Sequence, residues 1–145
     1  MRLPNPAPHP DTGLLVLRLG VAAVLIFHGI YKATHGVTWM NGMLSAHGLP
    51  SWLAYGVFVG EIVAPVLLIL GLWPRLAALI IAIDMAMAIF LARAGDVAKI
   101  NPNGGGWSIE LEALLLAAAL AIALAGGGKY GLSRGNTPSR SRGRY

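Results

Sequence analysis

No cysteine occurs anywhere in the 145 residues, which excludes disulfide stapling, thiol relay and thiolate ligation of zinc or iron–sulfur clusters. Charge is nearly as scarce: Asp, Glu, Lys and Arg together make up 12% of the chain, and only six of them are acidic. A soluble domain needs more polar surface than that. What takes its place is apolar, at 56% of residues and a mean hydropathy of +0.65. These residues gather into four runs, each close to the roughly 20 residues needed to cross a hydrocarbon core of about 30 Å. The expected fold is all-α: an integral membrane, antiparallel bundle of four transmembrane helices in contact with the lipid bilayer.

The runs fall at about residues 13–33, 52–72, 76–92 and 108–125 within one domain over 13–132. Residues 1–12 hold four prolines, which favour extended backbone, and Asp11 or Thr12 is placed to cap the first helix. Arg18 interrupts the first run, and no small-residue cleavage site follows it, so a retained helix is expected instead of a secretory signal. In the loop that follows, Trp39, Met40, Met43, Leu44 and His47 recur at helical spacing and predict a short helix at the membrane surface. Trp73-Pro74-Arg75 permits only a tight antiparallel hairpin, whereas Asn101-Pro102-Asn103 and three glycines read as a flexible turn.

The excess of positive charge lies mostly at one side. Arg2, Arg75, Lys129, Arg134, Arg140, Arg142 and Arg144 share it if the chain crosses four times, against Arg93, Lys99 and Lys32 opposite. The positive-inside bias then places both termini in the cytoplasm of a cell whose inner membrane holds the protein. The tail over 133–145 is too polar to bury a core and is expected to be disordered. A membrane-flanking tail accounts for the net charge of +5 without nucleic acid as a partner.

Function is carried by the ionisable residues inside the runs: Arg18, His28, Lys32, Glu61, Asp84, Glu110 and Glu112. Each needs a partner or water. Glu61 costs roughly 3 kcal/mol at the centre of a run whose Leu, Ile, Val and Phe residues favour insertion by about 5 kcal/mol, so insertion still wins. At 100° per residue, Arg18, Leu25, Gly29 and Lys32 form one stripe of the first helix with His28 on its flank. Glu61 and Asp84 lie near the midplane of adjacent helices, where two carboxylates will not both stay ionised. One reading is that these residues pair to fix helix register, with Arg18 snorkelling to the cytoplasmic face. The sharper reading makes His28, Glu61 and Glu110 the proton-exchanging groups of an outward polar pocket, with Arg18, Lys32, Glu61 and Asp84 binding a carbonyl or phenolic ligand. His9, His35 and His47 lack metal-ligand spacing, and no metal site is expected.

The ordered motifs resemble the DoxX family over residues 14–132. They are Arg18-Leu19-Gly20 in the first helix, Phe27-His28-Gly29 with Lys32, Gly48-Leu49-Pro50, Gly60-Glu61, Arg75-Leu76-Ala77-Ala78, Glu110, and Gly126-x-Gly128-Lys129-Tyr130. The chain departs from the family pattern at Gly127, where proline is usual, and at Gly131 and Ser133, where Ser and Asp are usual; a less rigid closing turn is expected. Asp84 and Glu112 match no family motif. The resemblance implies a four-helix membrane protein described as an oxidoreductase, linked in some members to quinone reduction or a membrane redox complex. With no cysteine and no dinucleotide fingerprint, any electrons would come through a quinone or a redox partner subunit, with no covalently bound cofactor. Two other classes compete. A non-catalytic scaffold needs the charges only for packing, and a proton-coupled permease would require a homo-oligomer to find room for alternating access.

Overall fold

The computed structural model describes residues 9–133. The proline-rich start up to residue 8 and the tail from residue 134 lie outside the described residues. Among the described residues the chain is all-helical, with one isolated bridge between Ile100 and Trp107 and no strand.

Helix α1 (Pro10–His35) begins earlier than expected because Pro10 occupies the first turn, where its missing N–H costs nothing. No side chain caps it. Asp11 instead accepts the backbone N–H of Lys129 at 3.0 Å, joining the two ends of the described chain. The short helix expected in the first loop is α2 (Met40–Ala46). A long helical segment then runs over Ser51–Leu70 in three geometries: 3₁₀ turns over Ser51–Gly56, a π-helical stretch over Val59–Val63, and α3 (Ala64–Leu70). Pro65 explains the change. It has no N–H to return to Glu61, and the Ala64 N–H reaches past the α-helical partner to the carbonyl of Val59.

Gly71 (φ 65°) and Trp73 (φ 41°) are both left-handed and turn the chain into α4 (Pro74–Ala92). A side chain at Gly71 would overlap the backbone of Gly131 and the Arg18 guanidinium, so glycine is needed there twice over. The loop after α4 is better built than its composition predicts. Arg93 pairs with Asp96 at 3.3 Å and donates to the Ser108 carbonyl, and the Trp107 indole donates to Val97 at 2.6 Å. Helix α5 (Glu110–Ala125) follows and packs against α4 more extensively than any other two elements pack.

Among the described residues, three helical segments are long and apolar enough to cross a membrane: Pro10–His35, Ser51–Leu70 and Pro74–Ala92. Their packing agrees with lipid as solvent. Small residues meet inside, with Ala64, Ala77, Ala78 and Ala119 fully buried beside Leu68, Ile81 and Ile122. Large apolar side chains face outward, among them Phe27, Leu79, Leu114 and Leu124, in a chain that contains few charges. A second cluster of Val37, Leu44, Ala54 and Val57 fills the end of the bundle beneath α2.

Candidate ligand-binding site

The buried polar residues form two separate groups at opposite ends of α1. Near its start, Arg18 is 1% exposed and spends its five N–H donors on backbone. Nε and Nη2 donate to Leu68 at 3.0 and 2.7 Å, Nη2 also to Ile69, and Nη1 to Gly127 at 2.7 Å and to Tyr130. It neither snorkels nor keeps a donor for a ligand. These bonds fasten the segment after α5 to the end of α3, and Arg18 does not line the cavity described below. The closing turn, expected from its glycines to be less rigid, is tied down by further hydrogen bonds. Leu132 and Ser133 donate to Leu70 and Gly71, the Ser133 hydroxyl donates to Gly71 at 2.8 Å, and a side chain at Gly127 would run into Pro74.

Roughly 20 Å further along α1, at 1.5 Å per residue, Lys32 donates to Oε1 of Glu61. Close backbone approach brings this pair and Asp84 together. An ideal Cβ on Gly29 would stand 2.9 Å from the Glu61 carbonyl oxygen, so α1 and the π-helical stretch meet only because residue 29 has no side chain. In the same way Asp84 of α4 rests its carboxylate where a Cβ on Gly60 would sit. The extra residue of the π-helical stretch turns Gly60 toward α4 while Glu61 turns toward Lys32.

These three ionisable side chains form the polar end of a cavity of about 430 Å³, within the range of roughly 300–1,000 Å³ typical of small-molecule sites. Its other walls are apolar. Leu53 and Val57 line one side, and Met40, Met43 and Leu44 bring α2 over the end. Val59, Ile83 and Met87 also line it and are themselves exposed on the outer face of the bundle, so the cavity opens sideways onto the apolar exterior. Glu61 Oε2 and Asp84 Oδ2 are sealed from solvent and have no hydrogen-bond partner among the described residues. Buried carboxylate oxygens in that condition call for a proton, a water or a ligand.

The remaining expected site residues lie elsewhere. His28 is exposed and its Nδ1 turns back to the Val24 carbonyl of its own helix at 2.9 Å. Lying beside the inward stripe, it falls on the outer side once Gly29 is pressed against the π-helical stretch. Glu110 is exposed over Gly106 at the start of α5, and Glu112, two positions on, is the more buried of the two; neither lines the cavity. No cluster of His, Cys, Asp and Glu that could hold a metal exists among the described residues. The spacing of Met40, Met43 and Leu44 marks this apolar roof as a helix in the sequence but does not show what it covers.

A family profile described as DoxX matches residues 13–94. A protein of Haemophilus influenzae, described as uncharacterized, is 39% identical over 106 residues, covering 71% of this chain and 78% of the relative. No solved structure matches the chain.

Proposed function

Given that the chain belongs to the DoxX family of membrane proteins, we propose that it is a membrane redox subunit that binds the head group of a lipid-soluble quinone against Lys32, Glu61 and Asp84. The observation that carries this reading is the pair of unpartnered, solvent-sealed carboxylate oxygens at the polar end of an otherwise apolar cavity. A purely structural cluster would have tied both oxygens off, because an unmet buried acceptor destabilises the fold by about 1–3 kcal/mol.

The site fits such a ligand in shape and in chemistry. The sideways opening suits a molecule that arrives through the bilayer, the apolar walls suit its ring and tail, and the charges suit a head group with oxygen substituents. A bound quinone would supply a two-electron, two-proton carrier. The chain's own part is to position and to exchange protons: Lys32 holds Glu61 in place, and Glu61 and Asp84 present oxygens to the head group. In this reading α5 is the fourth crossing, roughly 24 Å long at 1.5 Å per residue, and the end of the bundle that holds Arg18 faces the cytoplasm. The electrons pass to or from a partner subunit.

The test is a titration of purified protein in nanodiscs with a short-chain ubiquinone or menaquinone analogue. Saturable binding is expected, weakened at least tenfold by Glu61→Gln. No saturable binding by the wild-type protein would remove the proposal and leave a scaffold.

A further inference from the structure

We infer that the cavity selects a head group that donates hydrogen bonds, so that within the quinone class it takes the reduced quinol in preference to the oxidised quinone. The inference rests on the binding role proposed above and adds the state of the ligand. It starts from what the polar end lacks. Lys32 satisfies one oxygen of Glu61 and, with its side chain 18% exposed, keeps its other protons within reach of water. Glu61 is only 4% exposed, and its Oε2, like Oδ2 of Asp84, is sealed from solvent and has no partner among the described residues. The unmet demand is for donors alone.

Charge points the same way. One ammonium faces two carboxyl groups, and the other lining side chains, apart from the Trp39 indole, are apolar. A quinone carbonyl offers only lone pairs, which would meet the lone pairs of Glu61 and Asp84. A quinol offers two O–H groups, and a charge-assisted O–H···O⁻ bond is among the stronger ones available in such a setting. Where one of the two acids holds a proton, its O–H meets one lone pair of the other, and the second lone pair of that accepting oxygen still calls for an O–H from the ligand.

Three probes with the same substituted ring and short alkyl tail separate the possibilities: the hydroquinone, its oxidised quinone and its dimethyl ether, titrated anaerobically into wild-type protein in nanodiscs. The ether keeps shape and apolar area but has no donor. The hydroquinone is expected to bind at least tenfold tighter than either of the others. Sites built to pair a hydroxyl reject the analogue without it, because their own groups are left unpaired. In Asp84→Asn the amide supplies a donor of its own, and the preference for the hydroquinone should shrink severalfold. Equal or tighter binding of the quinone or the ether by wild type overturns the selectivity and leaves the binding role standing. Failure of all three probes to bind removes the binding role itself.

Discussion

The α-carbon of Gly29 lies against the backbone carbonyl of Glu61, close enough that a methyl group at residue 29 would stand 2.9 Å from that oxygen and overlap the Ile62 side chain. This contact sets the distance between α1 and the π-helical stretch, and with it the reach of Lys32 to Glu61. Gly29→Ala should therefore destabilise the protein by about 1–3 kcal/mol, the usual penalty of overpacking. Gly20→Ala on the same helix, with nothing within 4 Å of the new methyl, should leave stability unchanged or raise it. Thermal melts in one detergent compare the two; equal effects would show that the close approach is not what matters.

Pro65 is the reason the Ser51–Leu70 segment departs from α-helical geometry just before it. Pro65→Ala restores an N–H and allows an ordinary ladder, which would turn the residues before it by about 100° relative to those after it. The expected result is an unchanged or higher melting temperature with quinol-analogue binding at least tenfold weaker. Retained affinity would mean that the π-helical stretch has a cause other than proline.

Arg18 satisfies carbonyls that come from two distant parts of the chain, Leu68 and Ile69 on one side and Gly127 and Tyr130 on the other. Arg18→Met should cost about 3 kcal/mol or more, since several buried acceptors lose a charged donor at once. Arg18→Lys should recover only part, because an ammonium cannot fork. Limited proteolysis should show faster cleavage near Tyr130 in both variants. Ligand affinity of the folded fraction should stay within twofold of wild type.

The Lys32–Glu61 pair can be separated from its packing by a double-mutant cycle. Removing only Lys32 with Lys32→Met leaves an unpaired buried carboxylate and should destabilise by about 3–5 kcal/mol. Adding Glu61→Leu should return much of that loss, as apolar replacements of buried pairs often do, while abolishing quinol-analogue binding. A double variant that is both stable and still binds would exclude the pair from the site.

His28 and Glu110 provide the negative control. Both are exposed and away from the cavity, and substitutions at such positions usually stay within about 0.5 kcal/mol. His28→Ala and Glu110→Gln should each change ligand affinity by less than twofold in the nanodisc titration. A tenfold loss in either would place the proton-exchanging groups outside the cavity described here.

The amino-acid sequence by itself determined the solvent of this protein and most of its elements. Long apolar runs can bury themselves only in lipid or in each other, a Pro-centred link can only make a hairpin, and Met40, Met43 and Leu44 already carry helical spacing. It also marked every residue of the polar site, because an ionisable group in an apolar run stands out wherever it finally points. Which of those groups would meet was decided only by tertiary structure. His28 and Lys32 sit four residues apart on one helix, and Glu61 and Asp84 on two others; the small angles that put Lys32 inside and His28 outside depend on where glycines let backbones touch. Arg18 looks from the sequence like a ligand or a snorkelling cation because its partners are carbonyl groups, which every residue has and no sequence pattern singles out. The π-helical stretch likewise comes from Pro65 acting within a packed bundle: rotating Glu61 toward Lys32 and Gly60 toward Asp84 is favourable only when both neighbours are already there.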